Sequence, residues 1–392
     1  MDQIKDIHEK EYGVSPEVVY ATPGRFHVMG EHSWFFKDKT ISMAIDRFVY
    51  IAVSFRDDNF FNFYFKQLND RKRISLEGFK FRKDDRWANS IKSVIFGYLS
   101  NGYSLRGMDF TIYSDMLPSA GLGIKTAITV GAAFAINDLC DFDCSDNEIL
   151  AVIEKGNKSF LKAENYVADN FSAIYSSEKS LILTNHEDLS YENIPFDFEN
   201  KTILLVDAKV PRIEIWDERT IYEEKNALIM GDLKERTTTV YGGWMYSNNR
   251  AEISEIFSIF PEDVRRHLDA ILSEHQCVLD AYNSLRKKSF AGFAKAVNKS
   301  HENMRDLYTI TCPEIDWILK RLVEINPTPD ESFNPVCCGR ITGKGFGRCI
   351  YAILDNENIP EFEKRLAEYA KIFGFHASCY TVKPARGVHR VQ

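Results

Sequence analysis

The chain has 392 residues, 44% of them apolar and 13% aromatic, enough to fill two cores, because a single core stops growing near ~250–300 residues. Its 49 Lys and Arg against 57 Asp and Glu leave a formal charge of −8, a mildly acidic balance that argues against a nucleic-acid partner. No run reaches the ~18 apolar residues of a membrane span, the stretch Met1–Asp6 is too charged for a signal peptide, and the eight cysteines form no CxxC pair; these features exclude a membrane protein and a zinc ribbon and point to a reducing cytoplasm.

In chain order, Arg47–Phe55 is rich in β-branched and aromatic residues and reads as a strand, Arg86–Leu99 carries apolar residues at helical spacing, and Met108–Tyr113 alternates as a strand does. Lys125–Leu139 and Asp146–Ala163 read as helices, and Leu181–Thr184 and Thr202–Val206 as short strands joined by a polar connection over Asn185–Asn200. A domain boundary is expected there, giving units 1–195 and 196–392. The second half opens on charged helices and continues with amphipathic helices over Glu262–Ser284 and Phe290–Met304. Strands follow around Arg348–Leu354 and Ala377–Val382, with the helix Glu361–Phe373 between them. The fold class expected is α/β (α+β): an N-terminal mixed-sheet domain and a C-terminal two-layer α+β domain with the active site in the cleft between them.

Three segments carry chemistry. In Thr22–His32 (TPGRFHVMGEH), Arg25 follows a Pro-Gly turn, where a guanidinium can grip a phosphate with two parallel bonds; a surface salt bridge is the plain alternative. In Leu117–Ala127 (LPSAGLGIKTA), a glycine-rich turn runs into an alanine-rich helix, which offers backbone N–H groups at the positive end of the helix dipole to a phosphate chain. It lacks the Walker A pattern, and an ordinary strand-to-helix turn is the alternative. In Cys338–Ile350 (CGRITGKGFGRCI), four glycines crowd one loop, a density that suits close backbone approach to a ligand as well as it suits a flexible hairpin.

Taken together, these segments resemble the motifs of the GHMP kinases, and among them the galactokinases. PGRFHVMGEH (Pro23–His32) followed by MAID (Met43–Asp46) is similar to the galactokinase signature. Trp87-Ala88-Asn89, SHENMRDLYTITCPEID (Ser300–Asp316) and VKPARG (Val382–Gly387) extend the resemblance nearly end to end. It implies a two-domain kinase that moves the γ-phosphate of ATP, with Mg²⁺, to the anomeric hydroxyl of galactose or a related monosaccharide. Its partners would be that sugar and ATP, and a monomer is expected.

By the same resemblance, Arg25 and Asp169, the latter in ENYVADNF, would be the catalytic pair. Ser119, Ala120, Gly121, Leu122, Gly123, Lys125 and Thr126 would cradle the phosphates. Glu31, His32, Trp34, Gly343 and Phe346 would face the sugar side. The chain also departs from the family pattern: Trp34 stands where GEHTDYN has its sugar-binding Asp, GLGIKTA replaces GLSSSA, the segment before Asp169 is contracted, and Lys344 and Arg348 replace glycines. Two readings stay open: a kinase of altered sugar specificity, and a non-catalytic relative that binds nucleotide or sugar as a sensor or scaffold.

Overall fold

The computed structural model describes residues 2–118, 120–163, 166–211, 258, 260–326, 334–343 and 349–391. After a first helix, α1 (Asp2–Tyr12), come β1 (Val18–Met29), β2 (Lys39–Phe55), β3 (Phe60–Phe65), β4 (Asp70–Ser75), α2 (Ala88–Ser100), β5 (Met108–Ser114), α3 (Ile124–Leu139), α4 (Asp146–Lys155) and α5 (Val167–Tyr175). Strands β6 (Ser180–Asn185), β7 (Ser190–Pro195) and β8 (Lys201–Asp207) follow. The second half continues with α6 (Glu262–Arg286), α7 (Phe290–Glu302), α8 (Pro313–Val323), β9 (Cys338–Ile341), β10 (Cys349–Asp355), α9 (Ile359–Phe373), β11 (Ser378–Val382) and β12 (His389–Arg390).

Two mixed layers result. The first is an eight-stranded sheet in the order β12-β1-β2-β5-β3-β4, with β6 pairing the start of β2 and β7 pairing β6; its β3–β5 pair is parallel. The second is a four-stranded antiparallel sheet, β11-β8-β10-β9. Helices α3 and α5 pack on β1 and β2, and α7 and α8 pack on β9. β1 is buried along nearly its whole length, as a strand covered on both faces must be.

Two expectations need correction. Asn185–Asn200 is not a plain connection: Ser190–Pro195 forms β7, a largely exposed hairpin partner whose polar composition hid its period. The helix expected over Asp146–Ala163 is regular only to Lys155. A Ser145 capping box starts it, and at Gly156 it widens into one π-helical turn ending at Leu161. The tail also returns to the first sheet. Ala385 N–H donates to Ala44 C=O, Gly387 N–H to Ser176 C=O, and β12 pairs with β1. The charged helices expected at the start of the second half fall within residues 212–257, outside the described residues.

The two layers share a core. Phe26 of β1 stacks on Tyr351 of β10 at 4.8 Å between ring centroids, and the Tyr351 hydroxyl donates to Val28 C=O at 2.8 Å. A second core lies mostly in the C-terminal half, with Leu204, Val206, Ile318, Leu319, Ile350 and Phe362 among its members, and Phe36 joins it from the N-terminal half. All eight cysteines are free thiols. Among the described residues no helix is long and apolar enough to cross a membrane.

Candidate active site

Because side chains on a strand alternate, Arg25 and His27 leave β1 on the same face. Asp169 meets them from α5, where a carboxylate in the first turn also faces the positive end of the helix dipole. The Arg25 Nε donates to Asp169 Oδ1 at 2.8 Å and its Nη2 lies 2.6 Å from Oδ2, a two-bond grip across 144 residues of chain. His27 Nε2 reaches Oδ1 at 2.9 Å, and the Thr126 hydroxyl donates to Oδ2 at 3.3 Å. Burial alone would raise the Asp169 pKa, but the Arg25 charge and the His27 bond outweigh it and hold the carboxyl well below its usual range. Burial, and then Arg25, push the His27 pKa down. The neutral ring therefore donates from Nε2 to the carboxylate and accepts at Nδ1 from the Ser42 hydroxyl at 2.8 Å.

The glycine-rich turn lies directly over this pair. Arg25 Nη1 donates to Gly121 C=O at 2.9 Å, and Arg25 N–H donates to Leu122 C=O. Gly123 occupies the N-cap of α3 with φ 75°, and a Cβ there would sit 3.0 Å from the Arg25 guanidinium carbon. The residue thus needs both left-handed backbone freedom and no side chain. No side chain caps the first turn of α3, so its N–H groups point outward at the positive end of the dipole. Lys125 is exposed on that turn, with no ion pair to any described residue. The C-terminal glycine-rich segment closes on the same turn. Thr342 Oγ1 donates to Ala120 C=O at 3.0 Å, and a Cβ on Gly121 would meet Gly343 Cα at 3.3 Å.

The structure separates the residues expected to face a sugar. Glu31 is buried and held by Arg340: Nη1 to Oε1 at 2.7 Å and Nη2 to Oε2 at 3.0 Å. Arg340 Nη2 also donates to Glu274 Oε1 at 3.2 Å, and its Nε to the Ser300 hydroxyl at 2.7 Å. His32 is buried with its ring 5.5 Å from that of Tyr308. Trp34 is half-buried, 5.2 Å from the Tyr166 ring and 6.1 Å from His186. Ser119 and Phe346, with Lys344 and Arg348, lie outside the described residues. Sequence reasoning missed His27, Tyr166, His186, Thr342 and Arg340. The two-residue spacing from Arg25 was the available signal for His27; nothing local marked Arg340 as an ion-pair partner rather than a loop residue.

Among the described residues no three His, Cys, Asp or Glu side chains converge on a metal position. Asp169, the carboxylate at the centre, already receives four donors, about the full acceptor capacity of the group. These residues therefore do not fit a metal held by protein ligands. They do fit a phosphate chain, which needs outward N–H groups and nearby cations.

Models of known families match three parts of the chain: the galactokinase galactose-binding signature over residues 6–55, the N-terminal domain of GHMP kinases over 89–177, and the C-terminal domain of GHMP kinases over 281–372. A Treponema pallidum protein whose name as a galactokinase is provisional is 37% identical over 99% of this chain and 96% of its own length. A Fusobacterium nucleatum galactokinase is 27% identical over 99% of both chains. The crystal structure of a Lactococcus lactis galactokinase complexed with galactose superposes with a TM-score of 0.87 at 18% identity, covering 99% of both chains. A Methanococcus jannaschii mevalonate kinase gives a TM-score of 0.63 at 16% identity, over 94% of this chain and 98% of its own.

Proposed function

This chain belongs to the galactokinase family of the GHMP kinases, and from that premise we propose that it transfers the γ-phosphate of ATP to the anomeric hydroxyl of a galactose-related monosaccharide. One juxtaposition carries the reading: a touching Arg25–Asp169 pair immediately beneath an uncapped helix N-terminus reached through a glycine turn. Phosphoryl transfer asks for positioning and charge stabilisation more than covalent chemistry, and those are what this arrangement supplies.

The bonding at Asp169 suggests the order of events. With its acceptor positions filled, the carboxylate takes a sugar hydroxyl only when a present donor leaves. A γ-phosphate on the turn competes for the Arg25 guanidinium, which already touches the Gly121 carbonyl. As Arg25 swings to the phosphate, two acceptor positions on Asp169 open, and the sugar hydroxyl fills one. Asp169 keeps 20% of its side chain exposed, so it is reachable. With His27 still bonded to Oδ1, the carboxylate orients the hydroxyl with an oxygen lone pair in line with phosphorus, and it takes the hydroxyl proton as the new O–P bond forms and the bond to the ADP oxygen breaks. The family resemblance implies Mg²⁺; the described residues offer it no ligand set, and no step is assigned to it.

The test is ³¹P NMR of reactions containing ATP, Mg²⁺ and each of a panel of hexoses. An acid-labile anomeric phosphate appearing in step with ADP is the expected product. A melting temperature raised by ATP, with no sugar phosphate on any hexose, would replace this reading with a non-catalytic nucleotide-binding one, which the saturated Asp169 also suits. A melting temperature unmoved by millimolar ATP would remove both.

A further inference from the structure

Beyond the reaction centre lies a wall, a cluster of rings in which the Tyr166 hydroxyl and one nitrogen of His186 meet a single threonine hydroxyl. Trp34 packs on Tyr166 at 57° between ring planes, and Tyr166 stacks on His186 at 5.3 Å and 10°. Tyr166 also meets His27 edge-on at 5.2 Å, so the wall starts at the donor behind Asp169 and runs away from it. The Tyr166 hydroxyl and His186 Nε2 both lie 3.0 Å from Thr40 Oγ1, which itself reaches Gly30 C=O at 3.3 Å. With the Tyr166 hydroxyl engaged on Thr40, the half-buried Tyr166 adds aromatic surface, and the half-buried Trp34 adds an indole with one N–H donor and no acceptor.

The neighbouring carboxylate does not compensate for the acid that relatives carry where Trp34 stands. Asp38 is fully buried, with Oδ2 accepting from the Ser33 hydroxyl at 2.8 Å and Oδ1 bonded to His275 Nδ1 at 2.7 Å. A sugar hydroxyl directed at the rings of Trp34 and Tyr166 would lose its water partners and meet no carboxylate or carbonyl there, whereas a methyl group would bury apolar surface against them.

The geometry points to a substrate class: a monosaccharide that turns a methyl-bearing substituent, rather than a free hydroxyl, towards Trp34 and Tyr166. The inference rests on the kinase reading above and deepens it by naming these rings as the specificity determinant. The methyl group has two plausible sources, a 6-deoxy carbon or an acetamido group, and the two sugars carrying them separate the cases.

The experiment compares kcat/KM for galactose, 6-deoxygalactose and N-acetylgalactosamine in the native protein and in Trp34→Asp and Trp34→Phe. One of the methyl-bearing sugars should exceed galactose by at least about tenfold in the native protein. Trp34→Phe should keep that order, and Trp34→Asp should narrow or reverse it. If 6-deoxygalactose leads, the wall receives a ring-bound methyl; if N-acetylgalactosamine leads, it receives the acetyl methyl. Galactose equal to or better than both overturns the inference and leaves the kinase reading intact, as does a preference that Trp34→Asp does not move. If none of the three releases ADP, calorimetric binding of the same sugars decides the specificity by the same criteria, and the hexose panel above decides the kinase reading separately.

Discussion

Two sides of one site have been treated differently. On the floor, Arg25, His27 and Thr126 converge through charge-assisted bonds on the single carboxylate of Asp169. On the wall, Trp34, Tyr166 and His186 form an aromatic stack where the galactokinase motif places a carboxylate. On the proposed reading the floor serves phosphoryl transfer whatever the acceptor, so its chemistry would tolerate little change. The wall would select the acceptor, and a single acid-to-indole exchange would alter that selection without touching the floor. Retained chemistry with altered recognition is the pattern expected when function lives in a site grafted on a common fold.

The sharpest way to break this comparison is Asp169→Asn, which keeps shape and removes charge. Turnover should fall about 10²–10⁴-fold while ATP affinity stays within a few fold. Steady-state ADP release and nucleotide titration check the two halves of that statement. A variant that turns over like the native protein would show that the floor is not the catalytic part.

Almost equal in size is the effect expected at the ion-pair network that ties β9 to α6 and to the residues just after β1. Arg340→Met leaves Glu31 and Glu274 buried and facing each other without their shared cation. Breaking such a network costs roughly 3–5 kcal/mol of stability, which urea denaturation would read as a lower midpoint. Burial raises the Glu274 pKa, so Glu274→Gln should be the milder change and should recover part of the loss when added to Arg340→Met. An additive double variant would show that the network does not act as a unit.

How much of this was legible follows the same division. The floor was readable because its parts sit in long, distinctive motifs: Arg25 in PGRFHVMGEH, and Asp169 by resemblance despite the contracted segment around it. His27 was readable in principle from strand alternation. The wall was not, because Tyr166 and His186 come together only when β6 pairs with the start of β2, a contact no local pattern encodes. Arg340 failed for a related reason. Its partners Glu31 and Glu274 lie 309 and 66 residues away, and only the folded chain shows a glycine-rich segment reaching back to the end of β1. The β7 hairpin failed because its exposed, polar strand has too little apolar contrast to show a period.

Acid should weaken the fold before it reaches the carboxylates. Burial lowers the pKa of His186, in the wall, and of His8, held between Ser54 and Thr111 far from the site, from 6.5 to about 4. The unfolded chain therefore binds these protons first. Stability is complete above pH 6.5 and falls progressively as pH drops towards 4, by up to roughly 3 kcal/mol for each histidine. The Asp169 contribution has the same sign but is lost only below the ordinary carboxylate range. Melting temperatures between pH 8 and 4.5 should fall mainly below 6.5, and His186→Phe should flatten the curve. A flat native profile would mean that the ring stack accepts charge and is not the dry wall described here.

The smallest effect is expected at a cation, Lys125, that the family pattern does not anticipate. Lys125 stands on the first turn of α3 where GLSSSA relatives carry a serine, exposed and without an ion pair to any described residue. A flexible ammonium there can reach a β- or γ-phosphate as a point charge, supplementing the helix dipole and Arg25. Solvent screens an exposed contact, so Lys125→Met should weaken ATP by only about 1–2 kcal/mol, a loss that grows at low salt and shrinks at high salt. Calorimetric titration of ATP at two ionic strengths separates this from a structural effect, since repacking would cost the same at both. Unchanged affinity at low salt would show that Lys125 points away from the phosphates, and that the floor binds nucleotide with the backbone of the turn and Arg25 alone.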